Sequence, residues 1–232
     1  VAASAALYLV HYALFRDAHH IFIYLLGDIA FVPVSVLLVT LVLDRVLESK
    51  QKDQRFHKLN MVLGAFFSEV GNPLLLHFRA FHEKNSMLFQ KLKAKPGWTS
   101  KDFTSARNSL DTSDLTIKID GAVLSSVKDF LVQKRSFLLA LLENPNLLEH
   151  DKMTVMLCAI FHLSEELCAR QDLKHIGGPD KDHLTLDIRR AYNQLVSEWL
   201  EYMQHLNRDY PYLYSLAERT NPFDPDAAAE IK

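Results

Sequence analysis

Two sets of side chains in this sequence have the types and spacing to do chemistry. The first centres on Asp28, the one charge inside the apolar run Ile21 to Leu43 (IFIYLLGDIAFVPVSVLLVTLVL). A carboxylate at such depth in a bilayer costs about 2.5–3.5 kcal/mol on insertion scales, so it needs water or a partner. On a helix Tyr24, Asp28 and Ser35 fall on one side and form a polar stripe through an apolar segment. Tyr8 and His11, in the apolar stretch upstream, are the candidate partners for that stripe. The chemistry would be an ion path or proton site at an oligomer axis, or else a hydrogen bond between packed helices. The second set is drawn from eleven histidines. His162 and Glu165 are three apart, Glu201 and His205 four apart, and Glu69 lies on another predicted helix. Carboxylate-bridged di-iron bundles need Glu-x-x-His from two helices and a Glu from two more. Here the order is reversed and occurs once, and the adjacent pair His19-His20 could bind a metal but two neighbouring histidines are a weak ligand set, so the expectation is no metal and no cofactor.

These side chains need elements to hold them. The run Ile21–Leu43 has the roughly 20 apolar residues that cross a hydrocarbon core, and Pro33 does not forbid the span. Ala2 to Phe15 is apolar but short, either the end of a first membrane helix joined through Arg16-Asp17-Ala18-His19-His20 or an interfacial helix. The hairpin is favoured; a signal peptide is not, for want of a basic start and a small-x-small site. Up to Leu43 the full charges are Arg16, Asp17 and Asp28, whereas Arg45, Lys50, Lys52, Arg55 and Lys58 follow closely after it. The positive-inside rule then puts everything beyond Leu43 in the cytoplasm of a cell (inner) membrane.

Beyond the span, apolar residues recur at spacings of three and four: Leu59, Val62 or Leu63, Phe66, Val70, Leu74, Phe78 and Phe81, then Leu124, Val127, Leu131, Leu138 and Leu141. The same spacing joins Met153, Leu157, Ile160, Leu163 and Leu167, and finally Leu184, Ile188, Ala191, Leu195, Trp199, Tyr202 and Leu206. Predicted helices run from Asp44 to Lys93 with a kink or break at Gly71-Asn72-Pro73, then Leu115–Glu143, Glu149–Leu173 and Asp182–Asp209. Lys95-Pro96-Gly97 ends the first, and Trp98–Asp114 reads as a polar loop holding at most a short helix. The fold class is all-α: an N-terminal transmembrane helix or hairpin (1–43) followed by a cytoplasmic four-helix bundle (44–209). An aromatic, proline-punctuated tail (210–232) should fold back onto the bundle or a neighbouring subunit.

Composition narrows the function. In 232 residues of 49% apolar content the net charge is −2, which excludes a broadly basic nucleic-acid binder. Seven glycines argue against a Gly-rich nucleotide-binding fold. Cys158 and Cys168 lie ten residues apart on one predicted helix, about 15 Å, too far to pair, and read as small buried residues in a reducing compartment. Phosphate-loop, nucleophile-elbow, zinc-protease and CxxC signatures are lacking, so no enzyme is expected.

Ser68-Glu69-Val70-Gly71-Asn72-Pro73-Leu74 resembles the phosphoacceptor box of sensor histidine kinases, with Ser68 where the histidine belongs, and serine cannot carry that chemistry. The stretches Asp17 to Phe22, Leu59 to Val62, Phe66 to Gly71, Tyr210 to Leu213 and Asn221 to Asp224 resemble those of uncharacterised prokaryotic small integral membrane proteins. That resemblance implies a membrane protein over most of the chain and carries over no activity or site residue. The expected partners are the lipid bilayer, further copies of the chain and a cytoplasmic protein. The leading functional expectation is an oligomeric pore lined by Asp28 and gated by the cytoplasmic helices. A non-conducting membrane-anchored scaffold and a membrane-bound metalloprotein are the alternatives.

Overall fold

The computed structural model describes residues 2–82, 87–93, 97–112, 117–148 and 150–230. Among these, every regular element is helical. The chain divides into two compact units, Val1–Phe56 and His57–Lys232.

The first unit holds α1 (Ala2–Phe15) and the start of α2 (Ala18–Phe66). Only Arg16 and Asp17 stand between the helices, a tighter turn than the sequence implies. Arg16 takes the left-handed conformation (φ 49°) and its N–H returns to the Tyr12 carbonyl, which closes α1. Asp17 opens α2 by accepting from the His20 N–H at 3.1 Å. Pro33 sits inside α2 without ending it. None of the apolar stretch of Ala18–Glu48 is buried, and Phe22, Leu26, Phe31 and Leu37 are more than half exposed.

In the second unit α2 passes through a π-helical turn, Phe67–Gly71, into α3 (Asn72–Arg79). Pro73 has no N–H to offer the carbonyl four residues back, and the ladder absorbs the loss by widening one turn: the Asn72 N–H reaches the Phe67 carbonyl. The predicted break is therefore a π-turn in a continuous helix. Gly71 is required there, since a Cβ would stand 2.4 Å from the buried Phe67 ring. After α3 come the short α4 (Met87–Leu92) and α5 (Ser100–Thr112), so the stretch expected to be a loop is mostly helix, with Phe103, Ala106 and Leu110 facing the core. The expected stop at Lys95-Pro96 and the expected starts at Leu115 and Glu149 lie outside the described residues; Gly97 adopts φ 82°.

Asp120 caps α6 (Gly121–Leu142) by accepting from the Ala122 and Val123 N–H groups. The short α7 (Pro145–Leu148) follows, and then α8 (Asp151–Ala169), capped by the His150 ring. Next come α9 (Gly178–Asp209) and α10 (Pro211–Arg219). In this unit α3 packs on α6, α6 on α8 and α8 on α9, while α9 also contacts α3, α5 and α10. The expected stripes are its core: Phe66, Val70, Leu74, Phe78, Leu124, Leu131, Leu157, Leu163, Leu184 and Leu195 are all buried. The stretch Asn60–Arg79 is also long and apolar enough for a membrane span, but 44% of it is buried here, as in a core helix. The tail does fold back, onto its own unit. Tyr214, Asn221 and Phe223 are buried, the Asn221 amide donates to the Leu92 carbonyl, and Arg79 donates to the Pro222 carbonyl.

Candidate functional site

Of the five residues of the expected polar stripe, the structure brings two together. The Tyr8 hydroxyl donates to Asp28 Oδ2 at 3.2 Å, so α1 supplies the partner that the carboxylate needs. His11 does not reach Asp28; its ring stacks on His20 at 5.8 Å and packs on Phe15 at 4.8 Å. Tyr24 lies against the His20 ring at 4.6 Å, and the Ser35 hydroxyl donates to the Phe31 carbonyl of its own helix. The stripe is thus a set of separate local contacts, with the Tyr8–Asp28 hydrogen bond and the His11–His20 stack linking the two helices.

The di-iron pattern dissolves in the second unit. Glu165 pairs with Arg135 at 2.7 Å, Glu201 with Lys152 at 2.7 Å, and Glu69 with Lys134 at 2.8 Å. His205 Nδ1 pairs with Asp209 at 2.8 Å. Ser68 is exposed. Cys158 and Cys168 are exposed as well, which corrects the expectation of burial: both occupy the outer face of α8.

A different cluster forms where α8 and α9 run back along each other. His162 and Glu166, one turn apart on α8, meet His183 and Asp187, one turn apart on α9. His162 Nε2 stands 3.4 Å from Asp187 Oδ1 and 3.9 Å from Glu166 Oε1. His183 Nε2 stands 3.3 Å from Asp187 Oδ2 and 3.5 Å from Glu166 Oε2. One ligand atom from each residue can be chosen so that all four lie within 4.8 Å of one another. The two imidazoles are about half exposed, while Asp187 is 3% exposed and its Oδ2 is buried without a hydrogen bond.

Arginines fix the carboxylates from behind. Arg170 Nη1 donates to Glu166 Oε2 at 2.7 Å, and its Nε and Nη2 grip both oxygens of Asp180 at 2.9 and 2.6 Å. This fork ties the end of α8 to the start of α9. Hydrogen bonding to Arg170 holds the Glu166 and Asp180 carboxyls below their ordinary range, and those carboxylates raise the guanidinium in return. Arg190 Nη1 donates to Asp187 Oδ1 at 3.1 Å. The connecting loop is pinned by α6: Lys128 donates to the Arg170 carbonyl, and Gly121 lies so close to the Leu173 backbone that a Cβ would stand 2.5 Å from its carbonyl oxygen.

The sequence did carry a signal for this cluster. His162-x-x-x-Glu166 and His183-x-x-x-Asp187 are two copies of one spacing on either side of the connection 170–177, and an antiparallel hairpin brings them together. Pairing His162 with Glu165 instead turns the carboxylate about 100° around the helix, toward Arg135.

Fold and cluster together define an all-α protein of two helical units, the second carrying a His/carboxylate group between neighbouring helices. Residues 1–47 match the family described as MJ1433, N-terminal helical domain, and residues 55–219 match Uncharacterized protein MJ1433, C-terminal helical domain. The chain belongs to this MJ1433 family. The uncharacterized protein MJ1433 of Methanocaldococcus jannaschii is 41% identical over 221 residues, covering 95% of this chain and 89% of that relative. No solved structure matches the chain.

Proposed function

We propose that this protein is a non-conducting membrane anchor carrying a cytoplasmic binding module. In this reading residues 1–43 insert as a hairpin in the cell membrane, and the bundle of the second unit works at its cytoplasmic face. The observation that carries it is the apolar stretch of Ala18–Glu48, none of which is buried. Leaving a Leu or Phe side chain in water forgoes about 2 kcal/mol each, and that surface needs lipid or further copies of the chain to cover it. The Lys and Arg residues after Leu43 orient it. The Tyr8–Asp28 hydrogen bond favours an anchor over a pore, because a carboxylate satisfied by the neighbouring helix is a packing contact and not an open lining group.

Alkaline carbonate extraction of membranes tests insertion: the chain stays in the pellet if the hairpin spans, and its release refutes the reading. The exposed Cys158 and Cys168 report orientation. A membrane-impermeant maleimide should leave them unlabelled in intact cells and label them after lysis; labelling of intact cells reverses the topology. Conduction is tested in proteoliposomes, where Asp28→Asn should leave cation flux at the lipid background of the wild type. A wild-type flux that the substitution abolishes, from a ring of three or more subunits, would make the chain a pore.

A further inference from the structure

We propose that His162, His183, Asp187 and Glu166 form a binding site for one divalent transition-metal cation, with zinc as the ion they fit, clamping α8 to α9. The distances separate this from an ordinary ion-pair cluster. Where histidines of this protein pair with carboxylates, as His175 with Asp172 and His205 with Asp209, the atoms close to 2.8 Å. In the cluster all four His–carboxylate separations stay between 3.3 and 3.9 Å. None of them closes to the 2.8 Å of those pairs. The three shorter ones, 3.3–3.5 Å, match donors around a shared ion, since zinc bound tetrahedrally at about 2.0–2.2 Å sets its ligands about 3.3–3.6 Å apart, and binding would draw in the 3.9 Å pair His162–Glu166.

The second observation is Asp187. Its Oδ2 is buried, makes no hydrogen bond and faces His183 Nε2. A buried carboxylate oxygen left bare is costly, and a cation bound there offsets that cost. The surroundings match what ligands require. Arg190 holds Asp187 through its other oxygen and Arg170 holds Glu166, outer contacts that orient the carboxylates. The two half-exposed imidazoles leave an entry path from solvent. Two imidazoles beside two carboxylates select a borderline cation over magnesium or calcium, which take oxygen donors.

The test uses the full chain in detergent, stripped with a chelator, desalted and titrated with zinc chloride by calorimetry and thermal melting. One equivalent of zinc binds and raises the melting temperature by several degrees, whereas magnesium chloride does neither. His183→Gln and Asp187→Asn each weaken zinc binding at least tenfold and lose the thermal shift. Because Asp187 is buried, the His162→Gln/His183→Gln double variant, altered only at half-exposed positions, serves with its circular dichroism as the folded comparison. Failure of the stripped wild type to take up zinc overturns the proposal. Wild-type affinity in the folded double variant overturns it too, since the ion would then sit elsewhere, as at His19-His20.

Discussion

Glu198 shows what one buried side chain does to this fold. It is 4% exposed on α9, and burial, reinforced by Glu201, pushes its carboxyl up to about 7, with Lys152 and Arg107 opposing. In the unfolded chain the same carboxyl titrates near 4.5. The folded value is the higher, so its favourable contribution is complete below pH 4.5 and disappears as the pH rises through about 7. Thermal melts should therefore show stability falling across that window. Glu198→Gln should flatten the fall and gain about 2 kcal/mol at pH 8; an unchanged profile would show that Glu198 is not the titrating group. At the same scale, Arg170→Met should cost about 1–2 kcal/mol in a denaturant titration, by releasing Glu166 and Asp180 at once. Single residues were also where the sequence was hardest to read. Free cysteines are most often buried, yet Cys158 and Cys168 are exposed because their positions on α8 fall outside its Met153–Leu157–Ile160–Leu163 stripe. Glu165 and Glu166 differ by one position and face different helices, which a list of acidic residues does not show.

At the scale of elements, periodicity made the long helices legible because their apolar stripes are what the core buries. It served less well for α5, where Ser, Thr and Asp dominate and the three- and four-residue spacing of Phe103, Ala106 and Leu110 is a sparse sign of a helix. The π-turn was foreseen only as a disturbance at Gly71-Asn72-Pro73, since whether a lost hydrogen bond breaks a helix or widens a turn depends on what packs around it. Here the Phe67 ring fills the space beside Gly71. Gly71→Ala should therefore destabilise the domain by about 1–3 kcal/mol through overpacking, despite alanine's better helix propensity. A melting temperature at or above that of the wild type would show that the turn can yield. Asp120→Ala, which removes the cap of α6, should cost about 1 kcal/mol, and Asp120→Asn should retain most of that.

For the whole molecule, the all-α class, the apolar N-terminal segment and the folding back of the tail followed from the sequence, whereas the choice between its own unit and a neighbouring subunit did not. Tyr214, Asn221 and Phe223 are core residues of the second unit, and Phe223 packs against Trp199 and Phe89. Deleting 210–232 should unfold the second unit, seen as lost cooperativity in a thermal melt, before any partner is considered. The closing contacts also join distant stretches of chain: Asn221 to Leu92 and Arg79 to Pro222. During synthesis the N-terminal helices leave the ribosome well before Asn221 and Phe223, which complete the core. Until those residues emerge, the Trp199 face that Phe223 covers is bare on the nascent chain. The interval between those two moments is when this protein is most exposed to proteases and most dependent on chaperones.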